Sequence, residues 1–497
     1  MINSYDIGYA AALMAAAPYW LIRPTARRKV LRALVDRMGR VGARADGRPA
    51  VMIHAVSLGE INATRGLIDR LLEARPDLHI IISTTTETGI ARALELYGSR
   101  VHPVGGPASA AGAWPAVKAP PAFTIIRYPL DFSPAIERVL DALHPNVVVL
   151  MELEVWPNFI YHCAWRSIPV VLVNGRITLP SFRRYRLARP LLRRTFARLA
   201  SVCAQDAVYA RRFEALGVDP TRIQVTGTMK FDAAAVALRV EGDADLAAAL
   251  ELRPAALAGS DREAISRERV WVCGSTGPGE EPIIIEQYRH LLARHARLRL
   301  VIVPRKPERF DEVARLIEAA GFQVVRRSQT LPATRKQQLI AAVSGTPAPG
   351  GQHPPPAATL LPPVILGDTM GELRRFYSLA DVVFVGRTLV DLGPRQHGSD
   401  MIEPAALGKP IIVGPFTANF AEAMSRFREA GAIREVASAE ALGQAVSELL
   451  SSPDAQQMGL RAQQVVVREK GAAQRHVKVI LEHLDRTLGV NEAPAES

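Results

Sequence analysis

Five segments of this chain place acids, hydroxyls or cations where an apolar strand gives way to a helix, the position from which a parallel sheet presents side chains to a ligand. In HAVSLGE (54–60) small residues let backbone approach a ligand. Glu60 stands at the helix start, where the dipole favours a carboxylate with or without a catalytic role. MELEVWPN (151–158) puts Glu152 and Glu154 after a buried strand, on one face if the strand continues, although Pro157 must soon stop it. Two carboxylates at a strand end rarely serve packing, so at least one is expected to be functional. Lys230, in TGTMKFD (226–232), can reach a ligand as a cation; the plain alternative is a solvated surface lysine. GSTGPGEE (274–281) reads as a phosphate-binding turn, with Ser275 and Thr276 as donors, Gly277 permitting close approach and Glu280 in the first helical turn. It is not a Walker loop, because the GK[ST] ending is missing. Arg305, in VPRKPERF (303–310), brings a planar guanidinium to another strand end, suited to phosphate or carboxylate. GDTMGELRRFY (367–377) and HGSDMIEPAALGKPIIVGP (397–415) add a glutamate before a helix start and a Gly-Lys-Pro break before a strand, features of a nucleotide-sugar site. No HExxH, DxD or His/Cys cluster stands in the sequence, so neither a metal nor any other cofactor is expected.

The elements that must position these residues form two alternating series. The first holds strands at 51–57, 79–86, 146–152, 168–174 and 200–205; the second at 269–276, 298–305, 321–328, 381–388 and 409–415. Short β-branched runs alternating with helices imply parallel sheets covered on both faces, hence an α/β fold with two Rossmann-like domains and ligand held between them. The expected boundaries are 1–22 for an amino-terminal segment, 23–235 for the first domain, 236–266 for an Ala-rich linker, 267–490 for the second domain and 491–497 for a disordered tail. Residues 103–122 and 344–363, rich in Pro, Gly and Ala, read as surface loops.

Composition narrows the partners. A chain of 497 residues exceeds one ordinary core, and 48% hydrophobic with 22% charged residues excludes a disordered or fibrous protein. Sixty-one Lys plus Arg against 49 Asp plus Glu gives +12, which suggests an anionic partner. Three scattered cysteines exclude a disulfide scaffold and fit a reducing, cytoplasmic compartment. The uncharged run 7–22 would span about 24 Å as a helix, short of the roughly 30 Å hydrocarbon core, and Pro18 is expected to interrupt it. The flank that follows, from Arg23 to Arg48, carries nine basic residues and only Asp36 and Asp46, which reads as a segment held at a membrane's cytoplasmic face. The bland alternative is an ordinary first helix packed on the domain. The stretch 181–198 interleaves seven arginines with aromatics and leucines, suiting anionic lipid headgroups; without a nucleic-acid-binding motif, nucleic acid is the weaker partner.

Taken in order, SLGE, STTTETG (83–89), YPLDF (128–132), MELEVWPN, TGTMKFD, STGPGEE, VPRKPERF, GDTMGEL and EPAALGKP with GPFTANF (414–420) resemble the 3-deoxy-D-manno-octulosonic acid (Kdo) transferases over about residues 5–485. The resemblance implies a metal-independent, inverting glycosyltransferase of the GT-B type, two Rossmann-like domains facing a central cleft. It would act at the cytoplasmic side of the inner membrane, moving Kdo from CMP-Kdo to a lipid A precursor. Carried over by position, it makes Glu60 the general base, with Glu152 and Lys230 stabilising the transition state. Pro304 and Arg305, Met370, Gly371 and Glu372, and Asp400, Met401, Ile402 and Glu403 become donor contacts, beside Ser275 and Thr276 of the phosphate turn. This chain departs from the family at DLGPRQHGSDMIEP, where Asp400 replaces an asparagine of many relatives. Another nucleotide-sugar transferase or an epimerase on the same fold is the competing expectation.

Overall fold

In the computed structural model the described residues are 3–21, 37–101, 122–257, 267–330, 361–393 and 396–489. The basic residues of 23–36, nearly all of both Pro/Gly/Ala-rich insertions and the tail 491–497 lie outside them. The chain divides into two compact units, Met1–Ala233 with Glu469–Ser497, and Ala234–Arg468.

The first unit runs through α1 (Ser4–Leu21), β1 (Ala50–His54), α2 (Leu58–Ala74), β2 (His79–Thr84), α3 (Glu87–Tyr97), β3 (Ala122–Arg127), α4 (Ser133–Leu143) and β4 (Val147–Met151). It continues with α5 (Pro157–Trp165), β5 (Val170–Gly175), α6 (Leu179–Leu187), α7 (Arg189–Phe196), β6 (Ser201–Ala204), α8 (Ala207–Leu216) and β7 (Ile223–Val225). Its strands pair in parallel in the order β3-β2-β1-β4-β5-β6-β7. Both faces are covered. Alternation sends Val51 and Ile53 of β1 into one apolar core and Ala50 and Met52 into the other, which is why the strand reads as unbroken hydrophobic sequence.

The second unit contains α9 (Asp243–Ala249), β8 (Arg269–Thr276), α10 (Glu280–Leu292), β9 (Leu298–Pro304), α11 (Phe310–Ala319), β10 (Val324–Arg326), β11 (Val364–Leu366), α12 (Leu373–Leu379) and β12 (Val382–Val385). Then come α13 (Ile402–Ala406), β13 (Ile411–Val413), α14 (Ala421–Glu429), β14 (Arg434–Glu435), α15 (Ala439–Ser451) and α16 (Asp454–Glu469); α17 (Ala472–Leu488) follows. This sheet is also parallel, in the order β10-β11-β9-β8-β12-β13-β14. The α/β class and the paired parallel sheets match the sequence reading. Four strands had escaped it. β3 and β11 adjoin the two insertions, and β7 and β14 are edge strands of three and two residues without an apolar run.

Two expected boundaries move. Residues from 469 onward belong with the first unit, not with 267–490. The apolar stripe of α17, Val477, Ile480 and Leu484, joins the apolar core that also holds Leu67 of α2 and Val149 of β4. Both oxygens of Asp232 accept amide hydrogens at the start of α17, from Gly471 (2.7 Å) and Ala473 (2.8 Å). The stretch 236–266, expected as a linker, belongs over its described part to the second unit, because the buried Asp243 is gripped by Arg239 (2.8 and 2.7 Å) and by the Ser378 hydroxyl (2.9 Å).

The amino-terminal helix runs on to Leu21 through Pro18, so the expected interruption does not occur; only the last turn lies beyond the proline. Among the described residues no helix is long and apolar enough to cross a membrane. The first turn of α1 is fastened to the domain. Buried Asp6 accepts the Ser133 amide (2.7 Å), the Ser133 hydroxyl (2.7 Å) and the Asn158 side-chain amide (3.1 Å), acting as an imported cap for α4. Two arginines of the basic flank also turn inward: Arg37 donates to Tyr128 O and Arg44 to Leu143 O, both at 2.8 Å, so these two hold loops together rather than facing a membrane. Asp6→Ala leaves three buried donors without their acceptor and is expected to cost about 2–3 kcal/mol, read as a lowered denaturant midpoint. An unchanged midpoint would show that water replaces the carboxylate there.

Candidate active site

In the first unit the residues of interest gather where β1, β4 and β5 end. Ser57 caps α2, accepting the Glu60 amide (3.2 Å). The Glu60 carboxylate answers by accepting the Ser57 hydroxyl (2.8 Å) and the Val56 amide (2.9 Å). Glu60 therefore reaches back over the helix start, to the cap hydroxyl and to the amide one residue before it, and these bonds fix both of its oxygens. β4 stops at Met151, and Glu152 takes a left-handed conformation (φ 54°), rare for a residue with a side chain. Its amide bonds Val173 O (3.0 Å), and its carbonyl accepts the Arg176 amide (3.4 Å). The strand does not continue, so alternation does not put Glu152 and Glu154 on one face. Glu154 instead accepts the Trp156 indole N–H (2.9 Å).

Burial raises the pKa of Glu152. The neighbouring Glu60 raises it further, while Arg176 and Lys230 oppose the shift. Glu154 is raised by burial and by both other glutamates, against the Trp156 hydrogen bond. These mutual influences bring Glu60, Glu152 and Lys230 into one electrostatic neighbourhood. Lys230 is positioned by its loop: Asn174 Oδ1 accepts the Met229 amide (3.2 Å), and the Asn174 amide bonds His476 Nε2 of α17 (2.9 Å). α17 thus supports the cation's loop from two sides, through His476 and through Asp232.

Sequence reasoning missed the floor of this region. His54, the last residue of β1, stacks on Tyr128 with ring centroids 3.8 Å apart, and both rings are buried. Burial pushes the His54 pKa down to about 3, so its 3.9 Å approach to Glu154 is that of a neutral imidazole, not an ion pair. His54 Nδ1 lies 3.1 Å from Ser83 O, while Nε2 and the Tyr128 hydroxyl have no hydrogen-bond partner. The available signal was a histidine closing a buried strand just ahead of the SLGE turn. Arg176, in NGR after β5, gave no sequence signal beyond its charge.

In the second unit β8, β9 and β12 end side by side. Ser275 is left-handed (φ 57°), and the Thr276 hydroxyl is buried without a hydrogen-bond partner. Thr276 O accepts the Arg305 amide (3.0 Å), and Thr276 pairs in register with Pro304. Glu280 is a loop organiser. Fully buried, it accepts four amides: Gly277 (2.9 Å), Arg387 (2.7 Å), Thr388 (2.9 Å) and Leu389 (3.0 Å). Tyr377 lies where a side chain on Gly274 would stand, so only glycine fits there. The Tyr377 hydroxyl is lifted well above its ordinary pKa by burial and by Glu403 and Asp400, which relates the 274–277 turn to the 400–403 segment.

The other expected donor contacts differ in what they leave open. Met370 is 61% exposed beside left-handed Gly371 (φ 82°). Glu372 is gripped on both oxygens by Arg327 (3.0 Å each) and accepts the Thr369 hydroxyl (2.6 Å); these bonds outweigh its burial and lower its pKa. Asp400 caps the next turn through the Ile402 amide (2.8 Å), and Met401 and Ile402 are buried. Glu403 is pushed up to about 7 by burial and by Asp400, against Arg374. Lys409, of the Gly-Lys-Pro break, is buried and donates to Ser378 O (2.7 Å) and Ala380 O (3.0 Å), so it locks the end of α12. Among the described residues no group of three His, Cys, Asp or Glu side chains is placed to hold a metal ion.

Residues 32–233 match the family model for 3-deoxy-D-manno-octulosonic-acid transferase (kdotransferase). The chain is 31% identical over 462 residues to the 3-deoxy-D-manno-octulosonic acid transferase of Haemophilus influenzae, covering 92% of each chain. It belongs to the Kdo transferase family. The Bordetella pertussis enzyme of the same name is 33% identical over 445 residues, 88% of this chain and 89% of that one. A UDP-GlcNAc 2-epimerase structure from Neisseria meningitidis aligns with TM-score 0.50 at 12% identity, over 88% of this chain and all of that one, a likeness of fold alone. The chain is a glycosyltransferase, which removes epimerase as the activity.

Glu403 gives this Kdo transferase a pH signature. Its folded pKa of about 7 lies above the unfolded value, so its contribution to stability is fully present below about pH 4 and is lost as pH rises through 7. Glu403→Gln should therefore gain on the parent protein by about 3 kcal/mol between pH 4 and pH 8, read from denaturant midpoints. A difference independent of pH would mean that Glu403 titrates normally.

Proposed function

We propose that this glycosyltransferase transfers Kdo from CMP-Kdo to a lipid A precursor (lipid IVA), inverting the anomeric centre and using no metal. The observation that supports it most is the grouping of Glu60, Glu152 and Lys230 in a member of the Kdo transferase family. An acceptor hydroxyl attacks C2 of Kdo while Glu60 takes its proton. The new C2–O bond forms as the bond from C2 to the CMP phosphate oxygen breaks, and CMP leaves. Lys230 and the burial-shifted Glu152 balance the charge that develops. Arg305 and the turn of Ser275 and Thr276 take the phosphate; Pro304, Met370 to Glu372 and Asp400 to Glu403 contact the rest of the donor.

The same reading places the enzyme on the cytoplasmic face of the inner membrane, as a peripheral protein. Exposed Ile7 (67%) and Met14 (69%) of α1, and Leu187 (85%) and Leu191 (70%) among the arginines of α6 and α7, support an apolar and cationic contact with anionic lipid. Tyr5 links the two regions by donating to Leu191 O (2.8 Å).

The test is Glu60→Gln, because glutamine keeps the shape and one of the two acceptor oxygens while removing the base. With EDTA present, transfer should fall roughly 10²- to 10⁴-fold, while CMP-Kdo affinity stays within about twofold. Parallel loss of rate and donor affinity would make Glu60 a binding residue. Loss of the parent enzyme's activity in EDTA would restore a metal.

A further inference from the structure

Arg387 is a second arginine at the phosphate turn, and neither the sequence reading nor the proposed donor contacts include it. It follows β12, the strand beside β8, where the sheet order reverses and α/β proteins open a crevice for ligands. Three features make its position unusual. Its backbone is left-handed (φ 59°), a conformation an arginine adopts only when its surroundings impose it. The imposing group is Glu280, whose buried carboxylate accepts the amides of Arg387, Thr388 and Leu389 together with that of Gly277. One carboxylate thus binds the 274–279 turn to the 386–389 loop. The side chain then lies across the turn: a Cβ on Gly277 would come within 2.9 Å of Arg387 Cγ.

The buried Glu280 carboxylate attracts the Arg387 cation but bonds its backbone amide, not its guanidinium. Among the described residues neither the Arg387 nor the Arg305 guanidinium has a hydrogen-bond or ion-pair partner, although both are attached beside Thr276 and Gly277. Burial first, then the charge of Arg305, lower the pKa of Arg387 against the opposing pull of Glu280. Two adjacent guanidiniums repel, and an anion between them relieves that repulsion. The Thr276 hydroxyl, buried and without a hydrogen-bond partner, sits at the same turn.

We infer that Arg387 and Arg305 together clamp the phosphate of the nucleotide donor over the 274–277 turn, with Glu280 as the positioning residue that holds Arg387 in its strained conformation. The inference rests on the proposed nucleotide-sugar donor and adds to it a binding residue. The donor's phosphate is the assigned anion; the sugar carboxylate is the alternative source of the same chemistry.

Calorimetric titration of the full-length protein separates these readings. Arg387→Ala is expected to weaken CMP about 10- to 100-fold, as loss of a charge-assisted contact implies, and to leave cytidine affinity unchanged. Arg387→Gly should melt no lower than the parent, since glycine adopts φ 59° without strain, yet lose CMP affinity equally. A merely structural role would lower both. Equal CMP affinity in parent and Arg387→Ala overturns the clamp. So does parallel loss of CMP and cytidine, which would mean that the pocket collapses. If CMP-Kdo weakens while CMP does not, Arg387 takes the sugar carboxylate, and the phosphate assignment is wrong. UMP is titrated alongside. Arg387-dependent binding of UMP but not CMP would keep the clamp and overturn the cytidine donor, and a parent protein that binds neither overturns both.

Discussion

A parallel sheet covered on both faces leaves its strands' carboxyl ends as the open edge for chemistry, and there the backbone must find new hydrogen-bond partners. This chain meets that constraint with carboxylates that accept amide hydrogens, two of them, Asp6 and Glu280, fully buried. Glu280 takes four amides from two loops, Asp232 takes two at the start of α17, and Asp6 takes the Ser133 amide at the start of α4. All of these except the Glu280–Gly277 bond join segments distant in sequence. The conformations of Ser275, Arg387 and the loop of Lys230 depend on them, because left-handed residues and tight turns persist only where neighbours over-determine them.

Burial then sorts the remaining acids by partner. Glu372 and Asp243 meet guanidiniums and are held below the ordinary carboxylate range, which makes them fixed anions of the framework. Glu152, Glu154 and Glu403 are half-buried beside other acids and are raised, so their protons are exchangeable nearer neutrality. Arg327 opposite Glu372 and Asp400 beside Glu403 account for the difference between two glutamates that both open short helices.

Much of this was legible in the sequence. β-branched runs such as NVVVLME and LRLVIVPR identified the parallel strands, and the residues following them marked the turns. What stayed hidden was long-range. No local pattern says that Asp6 bonds Ser133, 127 positions away, or that α17 returns to the first unit through Asp232 and His476. Pairing also decided the fate of Arg37 and Arg44, which look like a basic flank and instead bind carbonyls. Arg387 drew no attention because its role depends on a left-handed backbone that composition does not reveal.

The central claim is that this Kdo transferase uses CMP-Kdo as donor and a lipid A precursor as acceptor, with the carboxylate group around Glu60 driving the step. Its most direct test is incubation of the full-length enzyme with CMP-Kdo and tetraacylated lipid A precursor, followed by mass analysis of the lipid, with a UDP-sugar in a parallel tube. The account predicts a lipid heavier by whole Kdo units in the first tube and unchanged lipid in the second. Unchanged lipid with CMP-Kdo, or transfer from the UDP-sugar instead, would contradict it.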